Sequence, residues 1–143
     1  MVTPYSLSSG HIIHDKVGVN LDCNPNDFKV NLSSIDNNSR INPYQKWTSQ
    51  DMGDGTYRII HTLSNLALDA DANAENKPQV YLSRPENNNE SNGFQRWRFV
   101  LISDTYMIIH NISGFVLEAR ADRKVYLSAP EISENHYQRW WFR

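Results

Sequence analysis

Four short landmarks recur in one order three times along this chain, and no other feature restricts its fold as tightly. The order is Ile-Ile-His, Leu followed by an acid, Val-x-Leu-Ser, then aromatic-Gln-basic-Trp. The first set is Ile12-Ile13-His14, Leu21-Asp22, Val30 to Ser33 and Tyr44-Gln45-Lys46-Trp47. The second is Ile59-Ile60-His61, Leu68-Asp69, Val80 to Ser83 and Phe94-Gln95-Arg96-Trp97. The third is Ile108-Ile109-His110, Leu117-Glu118, Val125 to Ser128 and Tyr137-Gln138-Arg139-Trp140. Each acid falls eight residues after its His, and the three Trp are spaced by 50 and 43 residues. A unit of roughly that length with one apolar face cannot bury the face alone, so the three must share a core.

The landmarks are bounded by Gly, Asn, Pro or Asp, and Val80-Tyr81-Leu82-Ser83 alternates with the period of a half-buried strand. No segment of helix length carries a 3.6 period. Each unit therefore reads as strand, turn, strand, variable loop, strand, with a last strand running on from its Trp, as in Trp97 to Leu101. Three units of about four strands give an all-β chain closed as a threefold barrel, which removes exposed edges. The 143 residues form a single domain with units at residues 1–52, 53–102 and 103–143.

Charge excludes several function classes. Fourteen Lys and Arg against sixteen Asp and Glu leave a net charge of −2, with no run of one sign, which argues against nucleic acid as a partner. No stretch approaches the roughly 18 apolar residues of a membrane span, so no membrane insertion is expected. The opening Met1 to Leu7 has neither a basic leader nor an apolar stretch, which predicts synthesis in the cytosol, with any release by a route without a signal peptide. The glycosylation sequons at Asn31, Asn37, Asn89 and Asn111 are then expected to stay bare. The single Cys23 excludes a disulfide scaffold.

The threefold Gln-x-Trp pattern with Leu-acid upstream, from about Gly10 to Arg143, resembles the ricin B-chain-like lectins. That resemblance implies a β-trefoil with pseudo-threefold symmetry, and glycans or glycoproteins, galactose-type among them, as partners. It implies further that the Trp builds the core, that Gln45, Gln95 and Gln138 support the loops, and that Asp22, Asp69 and Glu118 grip sugar hydroxyls. The residue types suit that task. A carboxylate accepts charge-assisted hydrogen bonds from two neighbouring hydroxyls, and a ring offers rigid area to the C–H face of a sugar. Shallow sites of this kind gain through avidity, so up to three copies matter.

The usual galactose pattern is altered here. Galactose-binding members carry an aromatic where this chain has Ser33, Ser83 and Ser128, and Asn where it has Tyr44, Phe94 and Tyr137. Alternation places Tyr81 and Tyr126 on the face opposite the core Val and Leu, where a ring is available to stack. The first unit has Asn31 instead, and Asn38 and Asn88 in the variable loops add amide donors and acceptors.

An enzyme is not expected, and no catalytic residue is assigned. Glycosidases need two carboxylates within about 5–9.5 Å, whereas peripheral positions in three units of a domain this size lie on the order of 25–30 Å apart. Cys23 beside Asp22 has its thiolate disfavoured. The equivalent His14, His61 and His110 repeat because the unit repeats, and no Cys or paired acid completes a metal set, so neither metal nor cofactor is expected. Two other readings compete: a trefoil that uses its loops on proteins, as protease-inhibitor trefoils do, and the receptor-binding component of a toxin. Trp141, alternating with buried Trp140, is a candidate outward contact for a homodimer.

Overall fold

The computed structural model describes residues 2–24, 26–36, 42–71, 79–87, 92–131 and 135–143. Twelve strands and no α-helix occur among the described residues. The first unit holds β1 (Ile12–His14), β2 (Asn20–Cys23), β3 (Val30–Ser33) and β4 (Trp47–Asp51). The second holds β5 (Tyr57–His61), β6 (Leu66–Asp69), β7 (Tyr81–Ser83) and β8 (Trp97–Ile102). The third holds β9 (Thr105–His110), β10 (Val116–Ala119), β11 (Val125–Ser128) and β12 (Trp140–Phe142).

Six of these strands close a barrel by antiparallel pairing in the order β1, β12, β9, β8, β5, β4. Closure falls at Gly10, whose N–H and C=O both bond Trp47. A Cβ at Gly10 would stand 2.8 Å from the Arg143 carbonyl and 2.5 Å from Leu7 Cδ1, so only glycine lets the backbones approach. The hairpins β2–β3, β6–β7 and β10–β11 form a triplet joined in a ring by the bridges Lys29↔Tyr81, Gln79↔Tyr126 and Asn31↔Lys124.

The repeated apolar positions meet in one core. Trp47, Trp97 and Trp140 are fully buried with Ile12, Ile59 and Ile108 and with Leu21, Leu68 and Leu117. Each indole N–H donates to the carbonyl of the Leu before the acid, at 2.9 Å for Leu21 and 3.0 Å for Leu68 and Leu117. The three histidines pack against these rings at 4.8–4.9 Å between centroids. Nε2 of His14, His61 and His110 bonds the carbonyl of Tyr137, Tyr44 and Phe94, while Nδ1 faces the Val17 N–H, Ser64 Oγ and Ser113 Oγ. Burial lowers all three pKa values, so the rings are neutral struts with both nitrogens engaged.

Candidate functional site

The local sequence sets up each site in the same way. Just before each Gln-x-Trp a single 3-10 turn begins at Asn42, Asn92 or Asn135, whose side-chain oxygen accepts the N–H two residues on at 3.0 Å. This cap stops the loop so that the Gln turns inward. Gln45, Gln95 and Gln138 are fully buried, and the amide of each bonds both the repeated acid and a loop carbonyl, that of Ser34, Arg84 or Ala129. The Gln oxygen takes a loop N–H at 2.8 Å, from Asp36, Glu86 or Glu131. The capping Asn carries its own sequence signal beyond the landmarks named above: an Asn stands three residues before every Gln.

The acids differ in what remains of their bonding capacity. Asp22 is 7% exposed; Oδ1 accepts the Cys23 N–H at 2.7 Å and Oδ2 accepts Gln45 Nε2 at 3.3 Å. Across the strand pair stands Asn31, exposed, with no ring at that position. Cys23 is buried and its thiol is pushed up to about 12 by burial and then by Asp22 and Asp27, so it is no nucleophile.

Asp69 is 2% exposed, and both bonds it accepts, from Ser83 Oγ and from Gln95 Nε2 at 3.2 Å, go to Oδ2. Its Oδ1 has no hydrogen-bond partner among the described residues. Asp69 also lines a cleft of about 220 Å³ together with Ala70, Asp71, Tyr81, Asn87 and Phe94. Tyr81, 40% exposed, stands opposite Asp69 across β6–β7. Burial, then Asp69 and Asp71, raise the Tyr81 pKa, so the phenol keeps its proton. Lys29, which the sequence reading did not single out, is bridged to Tyr81 from the first unit and is exposed beside it.

Glu118 is 1% exposed and saturated. Oε1 accepts Ser128 Oγ and Gln138 Nε2, each at 2.9 Å, and Oε2 accepts Arg120 Nε at 2.9 Å and the Tyr126 hydroxyl at 3.0 Å. Burial raises its pKa, but the four hydrogen bonds outweigh that and hold it below the usual carboxylate value. Tyr126, read in sequence as a stacking ring, is brought instead into the carboxylate's own shell. One methylene explains the difference from Asp69: Glu118 reaches far enough to meet the Tyr126 hydroxyl and the Arg120 head.

The structure thus places Asp69 and Tyr81 on one cleft, with Gln95 bonded to the acid, and gathers Tyr126, Ser128, Gln138 and Arg120 around the two oxygens of Glu118. Asn38 and Asn88 lie outside the described residues. A larger cavity of about 300 Å³, lined by Val2, Asp15, Asp104, Tyr106, Trp141 and Phe142 among others, contains none of the repeated acids. Its lining surface is mostly apolar and holds no acid tied by a Gln, so the smaller, more polar space is the better site. No group of three metal-ligating side chains occurs among the described residues.

Twelve strands, a ring of three hairpins and three Gln-tied acids define a β-trefoil. The chain belongs to the ricin-type β-trefoil lectin domain family, whose model matches residues 8–140. It is similar in structure to a designed threefold-symmetric protein, ThreeFoil, with TM-score 0.78, 21% identity, and coverage of 93% of this chain and 96% of that one. It is similar to the ricin B-like lectin of Macrolepiota procera, solved with lactose, with TM-score 0.76, 14% identity, and coverage of 99% and 97%. It is also similar to Cry35Ab1, with TM-score 0.77 and 20% identity; the match takes in 99% of this chain but only 36% of that longer one. Comparison with curated protein sequences finds no match.

Proposed function

We propose that this protein binds carbohydrate without transforming it, and that the Asp69 cleft is its principal neutral-sugar site. The carrying observation is the buried Asp69 Oδ1 without a partner among the described residues. A buried polar oxygen left without a partner costs about 1–3 kcal/mol unless a ligand hydroxyl or water fills the gap. The cleft is smaller than the roughly 300–1,000 Å³ of drug-sized pockets, which suits one pyranose ring rather than a buried oligosaccharide. In this reading Asp69 Oδ1 accepts from a ring hydroxyl, Tyr81 supplies the flat face, and the amide of Asn87 reaches a second hydroxyl. Gln95 and Ser83 hold the carboxylate in place.

Membership of a lectin domain family supports the reading, as does the lactose held by the Macrolepiota procera protein. The non-catalytic part rests on placement. Asp69 and Asp71 both line the cleft but stand only two residues apart along one chain segment, at the end of one strand. A glycosidase needs its two carboxylates on opposite sides of the scissile bond.

The test is a glycan array on the wild type beside Asp69→Ala, Asp22→Ala and Glu118→Ala, each first shown folded by its melting curve. Neutral glycan binding lost in Asp69→Ala and kept in Glu118→Ala supports the proposal. Binding that survives Asp69→Ala, or no binding at millimolar sugar, refutes it.

A further inference from the structure

The position two residues after each repeated acid differs in charge among the units: Asn24, Asp71 and Arg120. We infer that the third unit carries a separate site for an anionic group, sulfate or carboxylate, borne on a sugar, and that Arg120 is its anchor. The guanidinium is positioned twice over. Its Nε donates to Glu118 Oε2 at 2.9 Å, and its carbon lies 4.4 Å over the centre of the Tyr137 ring. A side chain so fixed has already lost most of the freedom that binding would otherwise cost it.

Among the described residues, donor arithmetic leaves the head with donors to spare. A guanidinium has five N–H donors. One goes to Glu118, and Tyr126, which also faces the group, accepts at most one more. The side chain is 45% exposed, so the remaining donors are accessible. Planar pairs of N–H donors match the oxygens of a carboxylate or sulfate, which is what Arg recognises better than any other side chain.

The surroundings agree. Arg120 begins a turn closed by the Arg123 N–H on its own carbonyl at 2.8 Å, and Arg123 and Lys124 are exposed on that turn. From Glu118 to Lys124 there are three cations and two acids, one of them the buried, saturated Glu118. The equivalent stretch has one cation and two acids in the first unit, from Asp22 to Lys29, and one cation and three acids in the second, from Asp69 to Gln79. An anion is therefore favoured at the third unit and repelled from the Asp69 cleft by Asp71. With all its acceptor sites filled, Glu118 has nothing to offer a neutral sugar, so the unit's selectivity passes from the acid to the arginine.

The experiment is an amide NMR titration of the whole protein with lactose, sulfolactose, sialyllactose and inorganic sulfate, on wild type, Arg120→Met and Asp69→Ala. Sulfolactose or sialyllactose is expected to shift the amides of Ala119, Arg120 and Tyr137 in wild type and in Asp69→Ala. In Arg120→Met the affinity should fall about tenfold or more, as for loss of a charge-assisted hydrogen bond. Raising salt should weaken this binding and leave lactose binding unchanged. The two charged sugars separate sulfate from carboxylate as the preferred group, and inorganic sulfate tests whether the anion alone suffices. Shifts confined to the second unit, shifts that persist in Arg120→Met, or no shift at millimolar ligand would overturn the inference. Should Arg120→Met fail to fold, Tyr137→Leu removes the ring under the guanidinium and is expected to weaken the same binding. The inference does not need the Asp69 cleft to bind: loss of lactose shifts alone would sink the neutral-sugar proposal and leave this one standing.

Discussion

The second and third units carry the same landmarks in the same order, yet among the described residues one holds an acid with an unpaired oxygen and the other an acid whose oxygens are filled by its own neighbours. In the second unit Asp69 uses Oδ2 for both Ser83 and Gln95 and leaves the buried Oδ1 without a partner among the described residues. In the third, Ser128, Gln138, Arg120 and Tyr126 divide the two oxygens of Glu118 among them. The supporting Gln, the Ser and the core Trp are alike in both. What separates an open site from a closed one is a single methylene together with the residue two positions on. Symmetry of a scaffold therefore says little about symmetry of its sites, because a core tolerates only conservative change while a rim position is free to reverse its charge.

The largest expected effect tests the part that is alike. Trp97→Ala and Trp140→Ala should each destabilise the protein by about 3–5 kcal/mol, read as a drop in the urea midpoint. A difference of more than about 2 kcal/mol between them would break the equivalence of the cores. Next comes the part that differs. Asp69→Ala should weaken neutral glycan binding about 10- to 100-fold, the worth of one charge-assisted hydrogen bond, while Glu118→Ala leaves it unchanged by calorimetry.

A gain of function sharpens the contrast further. Glu118→Asp combined with Arg120→Asp rebuilds the second unit's pattern in the third. It should raise the lactose stoichiometry by one site, and a stoichiometry that does not rise would mean that the methylene and the arginine are not what closes the unit.

The smallest effect is on pH dependence. Glu118 is held below its unfolded value, so it contributes stability above the ordinary carboxylate range and loses it as pH falls through the folded value. His14, His61 and His110 are also lowered, by burial. As bases kept neutral, they begin to destabilise the fold once pH drops below about 6.5, where the unfolded chain takes up protons and the folded one does not. Urea midpoints should thus decline in two steps on acidification. Glu118→Gln should flatten the lower step and leave the upper one intact.

Much of this was legible in the residues. The strand positions and the three buried Trp follow from periodicity and repeat, since alternation at Val80-Tyr81-Leu82 admits one buried face, while the grouping of each acid with its Gln is what the family resemblance implied. Arg120 was passed over because in sequence it is an ordinary charge in a turn. Its meaning comes from Tyr137, seventeen residues on, which lies beneath it. Lys29 was missed for the same kind of reason: it stands beside Tyr81 only because hairpins of different units meet around the threefold axis.

Local sequence was enough to determine the repeat, the all-β pattern and the core, because burial of apolar faces is dictated by residue type and period. Which acid keeps an oxygen unpaired among the described residues was decided only in the tertiary structure. A carboxylate's free capacity depends on donors converging from separate strands and loops, and the reach of one side chain across a hairpin settles whether a ligand or the protein itself fills it.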